Sequence, residues 1–275
     1  MPETRLPIIT LTTDFGTSDH YVAAMKAAML SVSTQIAIVD VTHDIPPHDV
    51  MSAGWVLRNA YGAFPKWTVH VAVVDPGVGT ARRPILAVTD NHYFVGPDNG
   101  IFSFVFESDP AVRVIELTSA HYFRPTISPT FHARDIFGPV AVHLARGIEA
   151  SNFGEPIDNL TKLEVPRPKV TPEGAIRATV VAVDRFGNVA LNVTRSSMET
   201  LVQRMKASGF MATVGAAKVT QTFSTYGEAP AGAPFLLYNS SNFLEIAANK
   251  ARACELVGAK PGDIVELSLI QQIAQ

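Results

Sequence analysis

Along its first 160 residues the chain alternates between two hydrophobic periods. The apolar, β-branched runs IITLTT (8–13), IAIVDVT (36–42) and TVHVAVVD (68–75) have the length and composition of buried strands. ILAVT, YFVG and VRVIEL supply further extended runs. Between them, YVAAMKAAMLSV (21–32), MSAGWVLRNAYGAF (51–64) and ARDIFGPVAVHLARG (133–147) carry apolar residues at helical spacing. Ser18 or Asp19 is placed to cap the first helix, and Gly147 to end the last in a left-handed conformation. Strands alternating with helices predict an α/β fold with a largely parallel sheet flanked by helices.

The pattern changes after NLTKLEVPRPKVTPEG (159–174), where Pro166, Pro168 and Pro172 favour extended backbone over helix. AIRATVVAVDRFGNVALNVT (175–194) reads as two strands joined through Asp184 to Asn188, with glycine at the bend. KVTQTFSTY, PFLLYN, FLEIAA and DIVELSLI add short β-rich runs, and RSSMETLVQRMKA (195–207) alone reads as a helix. The expected organisation is an N-terminal α/β domain over 1–160, a Pro-rich linker over 161–174 and a mainly antiparallel C-terminal β domain over 175–275.

Composition narrows the function classes. With 275 residues, 47% hydrophobic and 17% charged, the chain can bury a sizeable core. A formal net charge of −3 and no long run of Lys or Arg argue against a nucleic-acid partner. No apolar run reaches the roughly 18 residues of a membrane span, so no membrane partner is expected. The opening MPETRLPIITLTTDFG lacks the basic and then apolar stretches of a signal peptide, so a cytoplasmic location is expected. Cys254 is the single cysteine, and no HExxH-like histidine pair occurs, so neither a disulfide nor a metal site is expected.

Candidate chemistry collects at strand ends, beyond which ligands bind in open α/β sheets. Asp14 follows the first strand, Asp40 and Asp44 flank the second, and Asp75 ends the third. Asp98 and Asn99 follow YFVGP, and His132 lies in SPTFHARD. Several have structural alternatives. Asp14 could cap the next turn, and Asp98-Asn99-Gly100 is good turn chemistry. His43 and His48, in VTHDIPPHDV, are either ligands or members of a proline-shaped loop, and Arg82 and Arg83 could be solvated turn ends. Asp75 is the sharpest candidate: a carboxylate flush against VHVAVV demands a partner, and Arg82 lies within reach across a glycine turn. The glycines after Asp75 fit neither a dinucleotide fingerprint nor a phosphate loop.

Taken together, TLTTDFGTSDHYVAAMK, VDVTHDIPPHDV, VAVVDPGVGTARRPI, FVGPDNGIFS, SPTFHARDIFGPVA and VDRFGNVALN resemble the S-adenosyl-L-methionine (SAM) hydrolases. These are also called SAM hydroxide adenosyltransferases and are relatives of the fluorinating and chlorinating enzymes. The resemblance implies hydrolysis of SAM by water to adenosine and L-methionine, with no cofactor and no metal. It also implies an α/β N-terminal domain, a β-barrel-like C-terminal domain, and a homotrimer with ligand held between one subunit's N-terminal domain and a neighbour's C-terminal domain. The family's catalytic set maps onto Asp75, Arg82 and His132. Asp14 matches the ribose-binding carboxylate, Asp184 the carboxylate facing the methionine ammonium, and Phe186 and Asn188 the adenine contacts. Ser240 and Ser241 fall where relatives hold the methionine carboxylate, although an arginine used by the halogenating enzymes is absent. Those enzymes carry a tyrosine where this chain has Asp75, and the fluorinating ones a long insertion after the position of Pro84. The alternatives are halide-dependent adenosyl transfer and a non-catalytic SAM or adenosine sensor. Whether Asp75 or His132 finally takes the water's proton is left open by the sequence.

Overall fold

The computed structural model describes residues 6–109, 113–172 and 174–271. Residues 1–5 of the stretch read for a leader, Val112 of an expected strand, Glu173 of the Pro-rich stretch and residues 272–275 lie outside them. The chain divides into two compact units, 1–165 and 166–275.

The first unit runs β1 (Ile8–Thr13), α1 (Tyr21–Val32), β2 (Ala37–Thr42), α2 (Val50–Ala60), β3 (Val69–Val73), β4 (Pro84–Val88) and β5 (Tyr93–Pro97). It continues through α3 (Ser103–Ser108), β6 (Arg113–Leu117), α4 (Gly138–Ala145) and β7 (Gly154–Pro156). The strands form one sheet in the order β2-β1-β3-β5-β4-β6-β7. Pairing is parallel from β2 to β5 and antiparallel beyond, so the sheet is mixed. The switch has a local cause. Only residues 89–92 join β4 to β5, enough for a hairpin and too few for a crossover.

Central β3 is buried along its whole length because both faces are covered. On one face Val69, Val71 and Val73 pack with Met25 and Met29 of α1 and Val140 of α4. On the other, Ala72 and Val74 pack with Leu57 of α2 and Val105 of α3. His70 shares the second face; its Nδ1 lies 2.7 Å from Thr10 Oγ1 and its ring stacks on Phe94. Burial, with His92 beside it, pushes His70 down to about 3. α1 begins after His20 without a side-chain cap, so neither Ser18 nor Asp19 plays that part.

The start of the Pro-rich stretch is docked onto this unit. Arg83 pairs with Asp98 at 2.5 Å and donates to Asn159 Oδ1 at 2.8 Å. Thr161 N–H donates to Asp98 Oδ1 at 2.9 Å, and Leu163 N–H to Ser103 Oγ at 2.9 Å.

The second unit contains β8 (Lys169–Val170), β9 (Ile176–Val183), β10 (Val189–Thr194), α5 (Arg195–Arg204), β11 (Ala207–Val214) and β12 (Ala217–Val219). β13 (Pro234–Tyr238), β14 (Phe243–Ala248), α6 (Ala253–Val257) and β15 (Ile264–Gln271) complete it. The strand order is β12-β11-β15-β9-β10-β14-β13, antiparallel throughout, with β8 beside β9. Beyond β12, Phe223 N–H donates to Leu236 O at 3.0 Å and Leu236 N–H to Gln221 O at 2.8 Å, which nearly closes the sheet into a barrel. Its interior is apolar, with Val180, Leu191, Leu236, Ile246 and Val265. The sequence reading did not expect β8, β11 and α6 in this unit, nor α3 and β7 in the first.

Candidate active site

Asp75 lies just past the carboxyl end of β3, and its side chain is only 5% exposed. The partner demanded by that burial is Arg82, itself 9% exposed. Arg82 Nε is 2.9 Å from both carboxylate oxygens, and Nη2 donates to Oδ2 as well. This is the fork geometry of the strongest carboxylate pairs. The guanidinium also lies over the Phe137 ring, 5.3 Å from its centre. Gly79 lets the connecting loop turn back: its φ is +76, and a Cβ there would sit 2.2 Å from Pro129 O. The loop after Asp75 is thereby pressed against the loop that carries His132.

His132 immediately precedes a π-helical turn (Ala133–Phe137) that leads into α4. Such turns are rare and are frequent at functional sites. The turn is fixed by fully buried Asp135, which accepts from Arg134 Nε at 2.7 Å and Ser128 N–H at 2.8 Å. Arg82 Nη2 lies 2.9 Å from His132 Nδ1. A guanidinium can only donate, so Nδ1 accepts and the neutral ring carries its proton on Nε2. Burial, followed by the neighbouring Arg82 charge, lowers the His132 pKa and favours this neutral form.

A cavity of about 500 Å³ is lined by Asp75, His132, Asp14 and His48 together with an aromatic group. Arg82 is not among the lining residues but bonds to both Asp75 and His132. Asp14 follows β1 and accepts the His48 N–H at 2.9 Å through Oδ2. His48 holds this pose at φ +68, a conformation costly for a non-glycine residue. The VTHDIPPHDV segment is a shaped loop: buried His43 sets Nδ1 2.8 Å from Thr13 Oγ1, and its carbonyl accepts from Gly16 N–H at 2.8 Å. Asp98 and Asn99 serve structure, Asn99 donating to Val74 O at 2.7 Å. The aromatic lining was missed in the sequence. Phe131 meets Phe15 and Tyr21 edge to face, with centres 5.7 and 5.4 Å away. The available signal was adjacency, since Phe15 follows Asp14 and Phe131 precedes His132.

The remaining candidates belong to the second unit. Asp184 closes the β9–β10 turn: Oδ1 accepts from Phe186 N–H at 2.9 Å and Asn188 N–H at 2.8 Å, and Oδ2 from Asn188 Nδ2 at 2.9 Å. Gly187 makes the bend at φ +87. Phe186 is left 75% exposed, while Asn188 is buried. Asp184, Phe186 and Asn188, with Tyr226 and residues 248–252, line a cavity of about 650 Å³. Ser240 and Ser241 do not line it. They occupy the β13–β14 turn, before β14, whereas the lining residues 248–252 come at its far end. Tyr226 is a cavity residue that sequence reasoning missed. Among the described residues, no group of three His, Cys, Asp or Glu side chains is placed to hold a metal, and no helix is long and apolar enough to cross a membrane.

Residues 9–154 match the SAM hydroxide adenosyltransferase N-terminal domain and residues 178–266 the corresponding C-terminal domain. The chain is 37% identical over 259 residues to the (R)-S-adenosyl-L-methionine hydrolase of Salinispora tropica, covering 94% of this chain and 96% of that protein. A fluorinase from an Actinoplanes species is 25% identical over 283 residues, covering 91% and 94%. A crystal structure of a conserved protein from Thermotoga maritima matches with a TM-score of 0.88 at 33% identity, covering 94% and 99%. Both domains match in sequence order across most of the chain, and the protein belongs to the SAM hydroxide adenosyltransferase family.

Proposed function

We propose that the protein hydrolyses SAM to adenosine and L-methionine, water attacking the ribose C5′ in line as methionine's sulfur leaves as a neutral thioether. The Asp75–Arg82–His132 unit, at the wall of a cavity that also holds Asp14, carries this assignment. A sulfonium departs without a general acid, so the difficulty lies with the weak nucleophile. Holding water in near-attack geometry contributes roughly 7–11 kcal/mol. General-base assistance adds about 10²- to 10⁴-fold.

Asp75 orients the water and accepts its proton through Oδ1, which takes only the Arg82 Nε bond, whereas Oδ2 takes bonds from both Nε and Nη2. His132 is unsuited to that step: Nδ1 is occupied by Arg82 and Nε2 already bears a proton. It serves as a donor to the nucleophile's oxygen. Asp14 binds the ribose hydroxyls through the oxygen that His48 leaves free. Asp184, Phe186, Asn188, Ser240 and Ser241 hold the methionine and adenine parts. The enzyme works without a cofactor, in the cytoplasm, as a homotrimer that brings the two ligand-binding surfaces together between neighbouring subunits. The exposed Phe186 ring supports the last point, since a stacking residue needs a covering partner.

The test is incubation with SAM in chloride buffer, with products resolved by chromatography and mass. Adenosine and methionine, lost in Asp75→Asn, are expected. A 5′-chloro product would move the protein to the halide-using branch, and SAM bound but unchanged would make it a sensor.

A further inference from the structure

Glu245, in the middle of β14, is a carboxylate only 5% exposed on a barrel strand, and no catalytic step uses it. A buried carboxylate is costly unless its oxygens are bonded. Two neutral donors bond it. Tyr226 O–H donates to Oε1 at 2.9 Å, and Asn239 Nδ2 donates to Oε2 at 3.2 Å. Tyr226 lines the cavity beside Asp184 and Asn188. Asn239 opens the turn that presents Ser240 and Ser241, and its Oδ1 accepts from Ser241 N–H at 3.0 Å and Phe243 N–H at 3.1 Å. One buried side chain therefore touches both the cavity wall and the serine turn.

We infer that Glu245 is a positioning residue for ligand binding, fixing the serine turn through Asn239 and the cavity wall through Tyr226. The inference rests on the assignment of Ser240 and Ser241 to the methionine carboxylate. The donor and acceptor roles along the chain are forced. Asn239 must present Oδ1 to the two N–H groups of the turn, so Nδ2 must face Glu245, and only an acceptor there is compatible. A carboxylate accepts from Tyr226 and Asn239 at once. A glutamine of the same shape keeps both contacts only by turning its NH₂ to Tyr226, whose hydroxyl must then accept instead of donate, and both bonds lose the carboxylate's charge. Burial, with the Asp184 carboxylate nearby, pushes the Glu245 pKa up against the lowering effect of its two hydrogen bonds.

The experiment compares wild type, Glu245→Gln and Tyr226→Phe in steady-state SAM hydrolysis, with L-methionine and adenosine as separate competitors. Trading two charge-assisted bonds for neutral ones, with the Tyr226 hydroxyl reversed, leads to about a tenfold rise in KM for Glu245→Gln, with kcat changed less than about twofold. Inhibition by L-methionine should weaken about tenfold, and inhibition by adenosine less than about threefold. Tyr226→Phe, the milder variant, should raise KM about threefold and serves if Glu245→Gln does not fold. A wild-type KM in the variants overturns the inference, as does unchanged inhibition by L-methionine or a loss confined to kcat. If the wild type itself forms no adenosine, the hydrolase assignment fails instead, and the two failures are thereby separated.

Discussion

Arg82 touches both other members of its triad, so its replacement separates charge from shape. Arg82→Lys keeps a cation but loses the fork that bonds both Asp75 oxygens and reaches His132. We expect kcat to fall about 100-fold with KM nearly unchanged, the signature of a contact used in the transition state. The pH profile of kcat should be flat near neutrality and fall on the acid side, below the ordinary imidazole value of about 6.5. A charged His132 can no longer accept from Arg82, and its lowered pKa puts that loss below the ordinary value. A profile rising toward acid would contradict the donor role. The Asp75–Arg82 pair was legible because a carboxylate at the end of a buried strand needs a partner and an arginine stood within reach. His132 lies 50 residues from Arg82, a distance that spacing cannot bridge. Its loop before the last helix made it a candidate, and only its place in a recognisable block joined it to the pair. The aromatic lining was missed for a related reason: adjacency to Asp14 and His132 marks Phe15 and Phe131, but they meet each other and Tyr21 only through folding.

At the scale of elements, the site depends on two loops held in contact. Gly79→Ala would put a methyl 2.2 Å from Pro129 O and at a φ that alanine resists. The loops must separate, and kcat should drop more than about tenfold while the thermal midpoint moves by only a few degrees. Unchanged activity would mean that the contact is incidental. Strand β1 was read to the residue because IITLTT is largely β-branched and bounded by Pro7 and Asp14. β11 escaped because ASGFMATV mixes small and polar residues with no clean alternation, and its burial is correspondingly irregular. α6 spans five residues, too short for a helical period to register. The antiparallel half of the first sheet was hidden because pairing direction follows connection length, which composition does not encode.

The whole molecule carries a built-in acid sensitivity. The unfolded chain binds a proton on His70 below about pH 6.5, which the folded protein refuses until about 3. Stability from this residue is therefore complete above 6.5 and falls through that window, by at most about 1.4 kcal/mol per pH unit. Thermal midpoints measured between pH 7 and 4 should fall less steeply in His70→Gln, which can still bond Thr10. Equal slopes would show that other groups govern acid unfolding.

The docked start of the Pro-rich stretch has a practical corollary for dissecting the protein. The N-terminal family match stops at residue 154, and a polypeptide trimmed there would look complete by homology. It would lack Asn159, Thr161 and Leu163, stranding the Ser103 hydroxyl and one oxygen of buried Asp98 while stripping Arg83 of its second partner. Trimmed at 165 instead, the same fragment keeps every one of those bonds. The longer piece should resist trypsin and leave a hydrophobic dye dark, while the shorter one is digested and lights it. Residues 159–165, which look like tether, are the last stitches of the first hem.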